Sequence, residues 1–150
     1  MNWQRWIPAA WRRSPSPPPD EPENLRRGRM GETAAKAHLQ AAGLKFITAN
    51  FRDPRAGRGE IDLIFRDADC LAFVEVKARS SERWVRPANA VDRRKRRLLS
   101  ATAVAYLRQL KTRKVRWRFD IVEVLLVDGQ VQEVRHLPNA FPVDERYQYL

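Results

Sequence analysis

Two short apolar segments of the chain carry acidic residues at a spacing that could hold a metal ion. The segments GEIDLIF and CLAFVEVKA occupy positions 59–65 and 70–78. Asp62 lies in the first segment, whereas Glu75 and Lys77 lie in the second. Carboxylates provide the hard oxygen ligands that divalent metals prefer, and a nearby lysine can hold or deprotonate a bound water. These are the residue types that metal-dependent hydrolysis of a phosphodiester requires.

The geometry depends on how the two segments pair. We expect a hairpin with its turn centred between Ala68 and Asp69, which places Asp62 opposite Glu75. Because side chains alternate along a strand, Asp62, Glu75 and Lys77 then share one face of the sheet. A turn with an odd number of loop residues would instead place a valine opposite Asp62 and separate the three side chains.

Two opposed carboxylates need compensation. With Cβ atoms about 5 Å apart they repel by roughly 3 kcal/mol at an effective dielectric near 20. A proton, a neighbouring cation or a divalent metal would offset this repulsion. The same register places Glu60 opposite Lys77. The alternative is a half-buried hairpin whose acids form ion pairs with Lys77, Arg58 and Arg79, although the apolar flanks favour a metal because an unpaired charge is costly there.

The segments around this hairpin predict a mixed α/β domain with the element order αβββαββ. Apolar spacing and alanine content predict the helices, and runs rich in β-branched and aromatic residues predict the strands. The predicted helices are GETAAKAHLQAA, closed by Gly43, and ANAVDRRKRRLLSATAVAYLRQL. The predicted strands are LKFITANFR, EIDLIF, CLAFVEVKA, VRWRFDIVEVLLV and QVQEVRHL, the last two joined by a turn at Asp128 and Gly129.

The beginning of the chain differs from the rest in composition. Residues 1–23 are rich in tryptophan and arginine and then in proline, which predicts a flexible tail before a single folded domain over 24–150. The tail is either mobile or a docking segment for a membrane surface, nucleic acid or a partner protein. The chain has one cysteine, Cys70, and no apolar run of the roughly 18 residues that a membrane span needs. We therefore expect a cytoplasmic location.

The charge balance indicates a polyanionic partner. Lys and Arg outnumber Asp and Glu by 29 to 18, for a net charge of +11. Nucleic acid is the leading candidate and an anionic membrane surface is the rival. Candidate nucleic-acid contacts follow the second acidic segment and begin the second helix: Arg79, Arg83, Trp84, Arg93, Arg94, Lys95 and Arg97. The alternative for the arginine run is a solvated helix face.

Three other polar residues have simpler interpretations. Asp120, within RFDIV, is expected to pair with a neighbouring arginine. His136 has no partner at metal-ligand spacing and is expected to be structural. Cys70, beside the predicted turn, is expected to fill space, because no histidine lies near it in sequence.

Together these motifs resemble the YraN family of bacterial endonuclease-like proteins, within the PD-(D/E)xK nuclease superfamily. The resemblance is carried by GRMGE at positions 28–32, GEIDLI, FVEVKAR and RFDIV. The proline of the superfamily name is replaced here by Ile61, which leaves the acid at Asp62 in place. The resemblance implies that 24–150 is an endonuclease-like domain with a restriction-endonuclease-like fold, similar to Holliday-junction resolvases, in which a mixed β-sheet is flanked by helices.

The resemblance also implies a function. It implies Mg²⁺- or Mn²⁺-dependent cleavage of DNA, with branched DNA as one substrate and a homodimer as the form that would cut a symmetric junction. Lys77 would position the water, and Lys95 aligns with a lysine of the family pattern. The implied metal ligands are Asp62, Glu75, the Val76 carbonyl and Glu32.

Two alternatives remain open. Glu32 can instead be a carboxylate favoured by the helix N-terminus and by Lys36. The whole domain can instead bind nucleic acid on the same fold with little or no catalysis.

Overall fold

The computed structural model describes residues 20–80, 91–110 and 114–148 and shows a five-stranded sheet with helices packed against it. Short 3₁₀ helices at Pro54–Ala56 and Glu145–Tyr147 complete the described elements. In chain order, the main elements are α1 (Glu23–Ala41), β1 (Lys45–Phe51), β2 (Ile61–Asp67), β3 (Cys70–Arg79), α2 (Arg93–Gln109), β4 (Arg116–Val127) and β5 (Gln130–Phe141).

The strands lie in the sheet in the same order as in the chain. All neighbours are antiparallel except β3 and β4, which run parallel. A parallel pair needs a crossover rather than a tight turn, and α2 lies in that connection. The predicted mixed α/β class, a mixed sheet flanked by helices, is confirmed and is consistent with a restriction-endonuclease-like fold.

Two of the helix ends follow the sequence signals, whereas α1 begins at Glu23, before the predicted start at Gly31, and α2 begins at Arg93, after the predicted start at Ala88. The N–H groups of Gly43 and Leu44 bond the carbonyls of Gln40 and Leu39, which closes α1 as the predicted glycine cap requires. Asp92 caps α2 by accepting the N–H of Lys95 at 2.8 Å. No helix among the described residues is long and apolar enough to cross a membrane. The predicted tail falls mainly on 1–19, outside the described residues, so the boundary at 23 stays a prediction.

The last strand is longer than predicted. QVQEVRHL was expected to end the strand at Leu137, yet β5 continues to Phe141. An irregularity opposite β4 includes Asn139, whose φ is +51°. Phe141 then pairs with Phe119 and stacks on its ring at a centroid distance of 4.7 Å. This aromatic contact explains why pairing resumes beyond Pro138, which a local sequence pattern reads as the end of a strand.

Alternation along the strands divides the core between two faces. On the face toward α1, the strand residues Leu63, Phe65, Ala72 and Val74 pack with Ala35 and Leu39 of the helix. On the face toward α2, the strand residues Ile64, Leu71 and Phe73 pack with Leu99, Ala103 and Tyr106 of the helix. Because Glu75 and Lys77 follow Phe73 at intervals of two, they belong to the face covered by α2.

Close packing against α2 makes Gly59 sensitive to substitution. A Cβ on Gly59 would lie 2.8 Å from the Leu98 carbonyl oxygen and would also collide with the Thr102 hydroxyl. We expect Gly59→Ala to lower the free energy of unfolding by about 2 kcal/mol, because backbone must move to admit the methyl group. A methyl group added to Gly28, inside α1, would meet no atom of the described residues within 4 Å, so Gly28→Ala should instead stabilise by about 1 kcal/mol. Urea unfolding of both variants tests whether the free energy of unfolding falls in Gly59→Ala and rises in Gly28→Ala.

Candidate metal and nucleic-acid site

The predicted hairpin register is present between β2 and β3. Leu63 pairs with Val74 and Asp67 with Cys70, around a turn at Ala68 and Asp69. Asp62 directly precedes the first of these pairs, so it lies beside Glu75 at the end of the ladder. Because the turn contains an even number of residues, Asp62 and Glu75 are neighbours on adjacent strands, as the sequence spacing predicts.

Asp62 is attached directly to the neighbouring strand. Its Oδ2 accepts the backbone N–H of Val76 at 2.7 Å. Burial, the charge of Glu75 and, more weakly, the charge of Glu32 raise the pKa of Asp62 to about 8, although the Val76 N–H and Lys95 favour the ionised form. In the absence of another cation this carboxyl group holds a proton at neutral pH.

Glu75 is the most enclosed acid of the site, with 4% of its surface exposed. Its Oε1 receives Lys77 Nζ at 2.9 Å and Lys95 Nζ at 3.3 Å. Its Oε2 is buried and has no hydrogen-bond partner among the described residues. A buried carboxylate oxygen without a partner is costly, so this atom is suited to a ligand that the protein itself does not provide.

Glu32 approaches the same acids from α1. A methyl group on the preceding Gly31 would lie 2.9 Å from the Ala78 Cβ, so the glycine lets the helix backbone approach β3 closely. Burial raises the pKa of Glu32, the hydrogen bond from Asn50 lowers it, and the charges of Glu60 and Glu75 raise it further. Glu32 is therefore close enough to Glu75 for the charges of the two carboxylates to interact.

The described residues contain no group of three His, Cys, Asp or Glu side chains arranged as a ready metal cage. The donor chemistry nevertheless fits Mg²⁺ or Mn²⁺, because the neighbouring acids offer hard oxygen atoms and one of these is buried without a partner. Asp62 and Glu75 could hold such an ion, with the predicted Val76 carbonyl and Glu32 as further ligands.

Among the predicted nucleic-acid contacts that the structure describes, Lys95 lies against the acidic residues of the site and the others do not. Lys95, expected to contact nucleic acid, projects from the first turn of α2 onto Glu75. Arg79 forms an ion pair with buried Glu123 at 3.7 Å. Arg93 and Arg94 are exposed, and Arg97 is half-buried. Arg83 and Trp84 lie outside the described residues.

Glu60 does not balance Lys77, contrary to the expectation from the register. Lys77 is paired with Glu75, and Glu60 is bound by Arg52 and by the side-chain amide of Asn50 at 3.3 Å. Since β2 begins only at Ile61, Glu60 lies before the strand and is free to turn toward β1. Asn50 and Arg52 were not predicted as site residues, because a polar residue at a strand end is too common a signal.

Asp120 belongs to a separate, structural cluster. It pairs with Val74, so it projects from the sheet face opposite Glu75. The side chain is 0% exposed. Its oxygens accept bonds from Arg118 at 2.9 and 3.1 Å, from His136 at 2.9 Å and from the Asn139 N–H at 2.9 Å. The predicted arginine partner is confirmed, and His136 is a second partner that sequence spacing did not indicate.

Comparisons with known proteins identify the family. The model of the family described as "Uncharacterised protein family UPF0102" matches residues 31–124. A UPF0102 protein of Trichlorobacter lovleyi is 37% identical over 119 residues, covering 79% of this chain and 91% of its own length. One from Rhodococcus opacus is 37% identical over 118 residues, covering 79% and 98%. One from Porphyromonas gingivalis is 38% identical over 118 residues, covering 78% and 84%. The resemblance to the YraN family is thus confirmed, and the chain belongs to that family, UPF0102.

Proposed function

We propose that the protein is a metal-dependent endonuclease that hydrolyses phosphodiester bonds in DNA. The observation that carries this proposal is the buried Oε2 of Glu75, which has no hydrogen-bond partner among the described residues, beside a second acid at Asp62. A divalent cation at this position would satisfy the orphaned oxygen and neutralise both carboxylates.

Each residue then has a defined task. Asp62 and Glu75 bind Mg²⁺ or Mn²⁺, with Glu32 and the Val76 carbonyl as further ligands. The bound ion supplies charge stabilisation for the phosphorane-like transition state. Lys77 Nζ lies 2.9 Å from Glu75 Oε1, which puts it within reach of a water beside that carboxylate. Lys77 therefore holds and orients the attacking water.

Positive charge brings the substrate to the acids. Arg93 and Arg94 are exposed at the same end of α2 that sends Lys95 to Glu75. A DNA strand bound by these arginines would thus lie near the carboxylates, and the net charge of +11 would speed its capture. Arg79, Arg97, Arg83 and Trp84 are further proposed contacts. Cutting a branched junction symmetrically would require two sites, hence a homodimer, and a cytoplasmic location would give access to DNA.

A second candidate function is nucleic-acid binding without cleavage. The observation that favours it is the double pairing of Glu75, whose Oε1 lies 2.9 Å from Lys77 Nζ and 3.3 Å from Lys95 Nζ. On this alternative, Lys77 and Lys95 neutralise Glu75 permanently, and the acids serve only to position the basic residues.

Nuclease assays on the wild type and on two lysine variants distinguish the nuclease from the binding function. We expect the purified protein to cleave labelled branched, single-stranded or duplex DNA with Mg²⁺ or Mn²⁺ and to stop on addition of EDTA. Lys77→Met should lower the rate by at least about 100-fold, because the water loses its oriented partner. Lys45→Met, at an exposed lysine on β1, is the matched control and should retain activity.

The opposite results support the binding function. Cleavage that survives in Lys77→Met would mean that another site, or a contaminant, is responsible. DNA binding that weakens steeply with salt, persists in Glu75→Ala and is never accompanied by cleavage would replace the nuclease by the binding module.

A further inference from the structure

Asn50 links α1 to the segment before β2 in an uncommon backbone conformation. Its φ is +52°, in the left-handed region that asparagine tolerates better than most residues. Its side-chain amide donates to Glu32 Oε2 at 3.2 Å and to Glu60 Oε1 at 3.3 Å. One amide group therefore bridges carboxylates from two different elements.

The two hydrogen bonds from Asn50 offset the repulsion between the carboxylates of Glu32 and Glu60. Glu60 raises the pKa of Glu32 through its charge, so the two carboxylates repel each other. Arg52 binds the other oxygen of Glu60. A primary amide carries two N–H groups and can donate to both acids at once, a role that neither a hydroxyl nor a carboxylate can fill. Asn50 thus fixes both the separation of the acids and the direction in which Glu32 points.

We propose that Asn50 is a positioning residue that holds Glu32 ready for the ion bound by Asp62 and Glu75, a role that rests on the metal site of the proposed function. Asn50 acts through Glu32 and does not itself contact the ion. Groups of this kind orient the direct ligands of a metal, and their loss typically weakens metal binding or activity by about 10- to 100-fold.

Two glycine substitutions distinguish the effect of the Asn50 side-chain amide from the effect of its backbone conformation. Asn139, in β5, has a nearly identical φ of +51°. Glycine accepts this conformation without strain, so Asn50→Gly and Asn139→Gly each remove only a side chain. Measured by electron paramagnetic resonance on the full chain, Mn²⁺ affinity should fall about tenfold in Asn50→Gly and stay unchanged in Asn139→Gly.

A double-mutant cycle with Glu32→Gln tests the route of the effect. If Asn50 acts through Glu32, Asn50→Gly should weaken Mn²⁺ binding in the wild-type background and have no further effect in Glu32→Gln. An equal loss in both backgrounds, or no loss in either, overturns the proposal.

The binding measurement keeps this proposal distinct from the nuclease. A wild-type protein that binds Mn²⁺ but leaves DNA intact refutes the nuclease, while the cycle still decides the role of Asn50. Metal-dependent cleavage with an unchanged Mn²⁺ affinity in Asn50→Gly refutes the role of Asn50 alone. A wild-type protein that binds no Mn²⁺ refutes both.

Discussion

Replacing Asp62 by asparagine is expected to abolish metal-dependent cleavage and, at the same time, to stabilise the metal-free protein at pH 8. Asparagine has nearly the same shape and can still accept the Val76 N–H through its carbonyl oxygen, so the fold is retained. It cannot ionise and binds a divalent cation weakly. Loss of a direct ligand should reduce metal affinity and activity by more than the roughly 10- to 100-fold that follows from loss of a supporting residue.

The stabilisation follows from the raised pKa of Asp62, which burial and the charge of Glu75 bring to about 8. Between the ordinary aspartate pKa and this value, the unfolded chain has lost a proton that the folded chain keeps. Unfolding then releases a proton, so the stability of the metal-free protein falls as the pH rises across this range. Asp62→Asn removes this contribution to the pH dependence.

Urea unfolding in EDTA at pH 5, 7 and 8.5 measures this effect. The wild-type midpoint should decrease with pH, and the Asp62→Asn midpoint should decrease less and lie higher at pH 8.5. Replacing the EDTA by Mn²⁺ should stabilise the wild type most at the highest pH, because the metal displaces the proton, and should leave the variant nearly unchanged. A variant that gains as much from Mn²⁺ as the wild type would exclude Asp62 as a ligand.

The central acids of the site could be predicted because a short hairpin leaves little freedom. A two-residue turn at Ala68 and Asp69 determines which side chains face each other, and parity alone then places Asp62 beside Glu75. The prediction needed no knowledge of the rest of the chain. The same local logic succeeded for the cap at Gly43.

The supporting residues could not be predicted because their positions depend on longer connections. Asn50 reaches Glu60 only because Phe51 pairs with Ile61, and the loop between these strands has no turn motif that sets this register. Lys95 reaches Glu75 only through the packing of α2 on the sheet. In sequence, Lys95 is one of five consecutive basic residues, and nothing local distinguishes it from its exposed neighbours Arg93 and Arg94.

A neutral substitution at Asp120 should have the opposite effect on stability from the one at Asp62. Burial acts to raise the pKa of Asp120, but bonds from His136, Arg118 and the Asn139 N–H outweigh it and hold the pKa below its ordinary value. The stability from this carboxylate is present above the ordinary aspartate pKa and is lost as the pH falls through the lowered value. Asp120→Asn places an N–H group against these donors, which should lower the free energy of unfolding by about 3 kcal/mol.

Comparing the two aspartates tests whether one buried acid is structural and the other awaits a ligand. In EDTA at pH 8, Asp120→Asn should unfold at lower urea than the wild type, and Asp62→Asn at higher urea. Because Asp120 lies on the opposite face of the sheet, folded Asp120→Asn should bind Mn²⁺ with wild-type affinity. If both variants lost stability equally, Asp62 would be a satisfied structural carboxylate like Asp120, and the site would have no need of a cation.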